Sequence, residues 1–136
     1  MALSTEIAEK ILAGARAKAG ELKVPMSFAV VDAGGYLIAL VRMDGAGVLT
    51  PRIAASKAYT TAVFRRTSAE LGALAETRPQ FFASIANIGS MPLIAGGGGL
   101  PIRQGGEVVG GVGASGGTQD QDVECAQAGL AAAGIQ

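Results

Sequence analysis

The chain contains no histidine and no tryptophan, and it has a single cysteine. Without histidine it cannot build a Ser-His-Asp or Cys-His arrangement or a histidine-rich metal site, and no side chain has an unperturbed pKa near neutrality. Any chemistry falls to Asp, Glu, Lys, Tyr or Cys. The lone Cys125 cannot close an internal disulfide, which agrees with a reducing compartment. Charge of either sign is equally lacking in excess. Eleven basic and eleven acidic residues give a formal net charge of zero, with no basic tract, so neither nucleic acid nor an anionic membrane is an expected partner. No run approaches the roughly 20 apolar residues of a membrane span. Glu6, Glu9 and Lys10 interrupt the N-terminal apolar pattern where a secretory signal needs an unbroken core. The expected location is the cytoplasm.

What is present is a chain of 136 residues, 49% hydrophobic, enough for one core and so for a single domain over 1–136. Ser4 or Thr5 caps a first amphipathic helix over about residues 5–20. "MSFAVVD" and "YLIALVRMD" are β-rich runs separated by "AGG", a hairpin with Asp32 at its turn and Arg42 and Asp44 at the far strand's end. Thr50 as N-cap and Pro51 as first helical residue open a helix over about 51–66. Thr67 with Glu70 has capping-box spacing and opens a short helix, and the residues after Pro79 form another irregular turn. "MPLIAG", "GLPIRQ" and "EVVGGVGAS" read as strands, and Thr118 with Gln121 caps a last helix. Strands joined by short glycine turns pair antiparallel, which makes the class α+β.

Residues 95–117 hold more than half of the 21 glycines. Inside this stretch "GVGASG" matches the dinucleotide fingerprint, but too little chain follows Gly116 for the second parallel strand that such a site requires, so the match is coincidental. Two readings remain. Gly110, Gly111 and Gly113 interrupt an apolar strand, so a helix, another subunit or a flat ligand passes close to that backbone. The run 96–99 and the "SGGT" segment offer main-chain amides to an anion.

In combination, "VVDAGGYLIALVRMDGA", "SKAYTTAVFRRTSAEL" and "GGLPIRQGGEVVGGVGASGGTQDQDVECAQAGLAA" resemble the GlcG/HbpS family, which includes the C-terminal domain of PduO. The resemblance runs from about residue 30 onward. It implies a profilin-like α+β fold, with helices on a five-stranded antiparallel sheet, and assembly into homo-oligomers. It also implies heme for some members and corrinoid metabolism for the PduO branch, while many members have no assigned activity. Heme is thus a possible cofactor here. Since this chain has no histidine for the iron, Tyr36, Tyr59, Cys125 or a methionine would have to ligate it, or flat apolar contacts alone would hold the ring.

Candidate site residues follow. Lys57 sits in an apolar helix: its stem packs while its amine reaches water, or its surroundings make it a base, a Schiff-base amine or a carboxylate anchor. Arg42 either pairs with Asp44 at the surface or clamps a carboxylate. Asp32 stabilises its turn or serves as a catalytic carboxylate. Asp120, Asp122 and Glu124 suit the start of a helix dipole, and no metal site is expected from them. Cys125 reads as a small buried hydrophobe, and Arg65, Arg66 and Arg78 as a loose basic set. The expected function is small-ligand binding, with a tetrapyrrole as candidate, in a pocket walled by Gly111, Gly113, Ser115, Gly116 and Thr118 and by the helix of Lys57, with Arg42 orienting anionic groups. The alternative is a catabolic enzyme moving a proton on a small carboxylate, with Lys57 as base and Arg42 as clamp.

Overall fold

A computed structural model describes residues 2–135. Helix α1 (Thr5–Leu22) starts where the Ser4 hydroxyl accepts the Ile7 amide, and it stops at Lys23, whose φ of 58° is left-handed. Its buried stripe is Ala8, Ile11, Leu12, Ala15 and Ala19, the three-and-four spacing of a helix lying on a surface. Strands β1 (Ser27–Asp32) and β2 (Leu37–Arg42) form the hairpin. Its turn is held by Asp32 Oδ1, which accepts from the Gly34 and Tyr36 amides at 2.9 and 3.0 Å.

Helices α2 (Thr50–Phe64), α3 (Ser68–Thr77) and α4 (Pro79–Ile85) follow, then strands β3 (Gly99–Gln104) and β4 (Glu107–Ser115) and helix α5 (Gln119–Ala132). The expected capping boxes of Thr67 with Glu70 and Thr118 with Gln121 are both present. At α2 the N-cap is Leu49, and Thr50 is the first helical residue instead of the cap expected for it. Its hydroxyl donates to the Gly47 carbonyl and meets the Ser27 hydroxyl at 2.8 Å, which docks the start of α2 on the hairpin.

The sheet is antiparallel throughout, in the order β2-β1-β4-β3, so it has four strands where five were expected. The missing one is "MPLIAG". Its amides go singly to Ala86, to the Thr60 hydroxyl and to Ser68, and these scattered acceptors on the helical side replace a strand ladder.

One face of the sheet presents Phe28, Val30, Val112 and Ala114 to α1 and α5, with Ile11, Cys125, Ala126 and Leu130 completing that core. The other face presents Ala29 and Val31 to Ala54, Ala55, Ala58 and Ala62 of α2. Register sets Gly113 opposite Ala29 and Gly111 opposite Val31, both on the α2 face. A Cβ at Gly113 would collide with the Ala54 carbonyl and stand 2.6 Å from the Ala58 amide. At Gly111 it would collide with the Ala58 carbonyl. The glycine strand therefore exists for the close approach of a helix. No described helix is long and apolar enough to cross a membrane.

Candidate functional site

Lys57 is 7% exposed, and its ammonium donates to the Ala114 carbonyl and to Asp122 Oδ2, both at 3.0 Å. Asp122 is 3% exposed, and its other oxygen accepts the Gly117 amide at 2.9 Å. Burial pushes the Asp122 carboxyl above its ordinary value, against the opposing pull of Lys57 and the Gly117 amide. Gly98, at φ 124°, leaves the passage open, since a Cβ there would lie 2.9 Å from the Lys57 amine. The lysine amine is engaged inside the protein and is nearly closed off from bulk water.

The "SGGT" segment is likewise occupied by its own structure. Ser115 is buried. Gly116, at φ 136°, packs on Pro25 and Met26. Gly117 donates to Asp122, and Thr118 donates to Gln121 Oε1 in the capping box. In the 96–99 run, Gly96, Gly97 and Gly99 donate to Ser68, Gln119 and Ser68 respectively. In this arrangement α2 covers Gly111 and Gly113, and the loop amides are taken up by Asp122, Gln121 and Gln119 of α5 and by Ser68 of α3.

Asp32 is a turn residue, with one oxygen accepting two main-chain amides. Arg42 pairs in register with Ser27, whose hydroxyl touches Thr50, so it stands at the mouth where hairpin and α2 meet, on the same face as Leu40. Among the described residues the ion pairs are Glu6 with Lys10, Lys18 with Glu124, and Lys57 with Asp122, which leaves Arg42 and Asp44 without the surface pair considered for them. Arg78 lies over the Phe81 ring at 4.3 Å, and the Arg65 carbonyl accepts from Arg103. No described group of histidine, cysteine and carboxylate side chains could hold a metal ion.

An open, mostly apolar cavity lies on the other side of α2 from that buried pair. It is a slot of about 400 Å³ between the β2 edge, the first two turns of α2 and the 91–92 segment. Leu40, Pro51, Ala55, Met91 and Pro92 make it apolar, Arg52 stands exposed at its rim, and Ser56, 5% exposed, forms part of its lining. Its far wall is fixed by Ser90 and Ile94, whose amides donate to Tyr59 Oη and Thr60 Oγ1 at 3.2 and 3.0 Å. No local motif marks this slot: Met91 and Pro92 lie in a segment that reads as strand by its residues but is a loop beside α2. Of the candidate iron donors, Tyr59 is buried on that bond, Tyr36 is exposed outside the slot, and only Met91 lines it. Cys125 is fully buried, and burial, ahead of Glu124 and Asp122, pushes its thiol up to about 11.

Two helices on one face of a four-stranded antiparallel sheet and a tightly seated helix on the other, with a small apolar slot beside it, define a layered α+β class. A family model described as "Haem degrading protein HbpS-like" matches residues 3–131, and the chain belongs to this GlcG/HbpS family. It is 33% identical to the protein GlcG of Escherichia coli K12 over 113 residues, 83% of this chain and 81% of that protein. The solved structure of Klebsiella pneumoniae protein ORFY superposes with a TM-score of 0.89 at 31% identity, covering 97% of this chain and 90% of that one. A PduOC:heme complex superposes with a TM-score of 0.90 at 28% identity, covering 100% and 98%.

Proposed function

We propose that this protein binds a flat tetrapyrrole carrying carboxylates, of the heme or corrinoid class, in the slot between β2 and α2. The observation that carries the reading is an apolar cavity of about 400 Å³ with Arg52 at its rim and Arg42 beside it, neither in an ion pair. Ligand sites combine such an apolar lining with a few convergent polar groups. The class of ligand is supported by the family description and by the heme complex of PduOC.

The residues present fit such a group. Leu40, Ala55 and Pro92 offer apolar contact to a ring face, and the arginines offer forked donors to its carboxylates. The Met91 thioether is the one soft donor in the lining. A bound heme would supply iron redox chemistry, while the chain's residues orient the ring and keep water from one face. Against the proton-transfer enzyme stands the Lys57 ammonium, buried and engaged by Asp122 and Ala114.

Hemin titration tests the reading. A saturable Soret shift, weakened in Arg52→Glu and altered in position in Met91→Leu, is expected. A wild-type spectrum no different from hemin with an unrelated protein would end it.

A further inference from the structure

Arg52, Ser56 and Thr60 follow one another at four-residue spacing along α2, so their side chains form one stripe with about 5–6 Å between successive Cβ atoms. Thr60, at the inner end, is fully engaged. Its hydroxyl donates to the Ser56 carbonyl at 2.6 Å and accepts the Ile94 amide at 3.0 Å. Beside the stripe, the Tyr59 hydroxyl accepts the Ser90 amide at 3.2 Å. Ser56 shares the slot's lining with Met91 and Pro92, and Pro92 has no N–H to offer it.

Ser56 is 5% exposed, and among the described residues nothing hydrogen-bonds to its hydroxyl. It does not bond back to the carbonyl four residues earlier, as Thr60 does. Buried side-chain hydroxyls nearly always have a partner, and one that is closed off without a partner costs free energy. The cavity is the one side from which a partner can come. A ligand seated there meets the Arg52 cation at the rim, hydrocarbon from Leu40, Ala55 and Met91 along its length, and a single hydroxyl one helical turn inward.

We infer that Ser56 sets the specificity of the slot by donating its hydroxyl proton to a carbonyl on the inserted edge of the ligand. This rests on the tetrapyrrole reading above. In hemin the edge away from the carboxylates carries only methyl, vinyl and methine groups, so its insertion covers Ser56 and leaves the hydroxyl without a partner. A carbonyl on that edge removes the penalty. The favoured ligand is therefore a tetrapyrrole whose leading edge carries a carbonyl, either an acyl side chain on a closed ring or the terminal lactam of an open chain. A site with a buried hydrogen-bonding group rejects an analogue lacking the matching group more strongly than an apolar pocket discriminates by size.

Titration of wild type, Ser56→Ala and Ser56→Thr with hemin, diacetyldeuterohemin and biliverdin tests it. All these ligands carry propionates, and the first two share ring and iron. The expected result is that at least one carbonyl ligand binds wild type roughly tenfold more tightly than hemin, about the contribution of one hydrogen bond. Ser56→Ala should lose that advantage with its hemin affinity unchanged, and Ser56→Thr should keep it. An advantage for diacetyldeuterohemin identifies the acyl side chain as the group read, and one for biliverdin identifies the lactam. Saturable hemin binding with no preference in wild type overturns the inference and leaves the tetrapyrrole reading standing, as does a preference that survives Ser56→Ala. No saturable binding of any of the ligands ends both. Urea unfolding supplies a second measurement: the Ser56→Ala midpoint should not fall, and a fall would reveal a partner within the protein and overturn the inference.

Discussion

Lys57 Nζ lies 3.0 Å from Asp122 Oδ2, with 9% and 5% of the two side chains exposed, and the pair ties the helix on one face of the sheet to the first turn of the helix on the other. Breaking a buried pair from one side strands the remaining charge, which typically costs about 3–5 kcal/mol. Asp122→Ala also leaves the Gly117 amide without its acceptor. Its urea midpoint should fall by that loss divided by the slope, with the slope itself unchanged. The double variant Lys57→Met/Asp122→Leu should recover most of the loss. A single variant as stable as wild type would refute the structural role.

Cys125 makes stability depend on pH at the alkaline end. Its thiol is at about 11 in the folded chain against an ordinary 9.0. Between these values the unfolded chain releases a proton that the folded chain keeps, so stability falls as pH rises through the window. Below 9.0 the contribution is fully present. Cys125→Ala should show a shallower decline over that range, and the native thiol should react with Ellman's reagent only as fast as the protein unfolds. Rapid native labelling at pH 8 contradicts the burial.

Gly113→Ala tests the reading of the glycine strand. The added methyl would collide with the main chain of α2 at Ala54, and backbone yields less readily than a flexible side-chain end. A loss at the upper part of the roughly 1–3 kcal/mol range for overpacking is expected, measured by thermal or urea unfolding. Gly105→Ala makes the contrast, because a Cβ there meets nothing, although its φ of 59° adds local strain. Equal tolerance at both positions would mean that α2 does not press on β4.

Local chemistry was readable from the sequence wherever its partners are close along the chain. The Thr67 and Thr118 hydroxyls each accept from the amide three residues on, and Asp32 closes its own turn. The family likeness anticipated the layered α+β architecture. What escaped was long-range. Asp122 suits a helix start by charge alone, yet its partner is 65 residues away and only the folded chain brings them together. The 91–96 segment has strand-like residues, but its hydrogen-bond acceptors are single groups on helices, so apolar content alone misled. The slot combines residues from both kinds of segment and left no local mark.

Filling the slot separates binding from folding. Ala55 is 8% exposed and lines the cavity one turn above Pro51, so a larger side chain there extends into space already open between Leu40 and Met91. Ala55→Phe should therefore leave the melting temperature within a few degrees of wild type, unlike Gly113→Ala, whose methyl has nowhere to go. Hemin affinity should drop at least tenfold, about 1.4 kcal/mol, because the ring and the new side chain claim the same volume. Wild-type affinity in a folded Ala55→Phe protein would place any bound tetrapyrrole outside the slot and return the search to the rest of the surface.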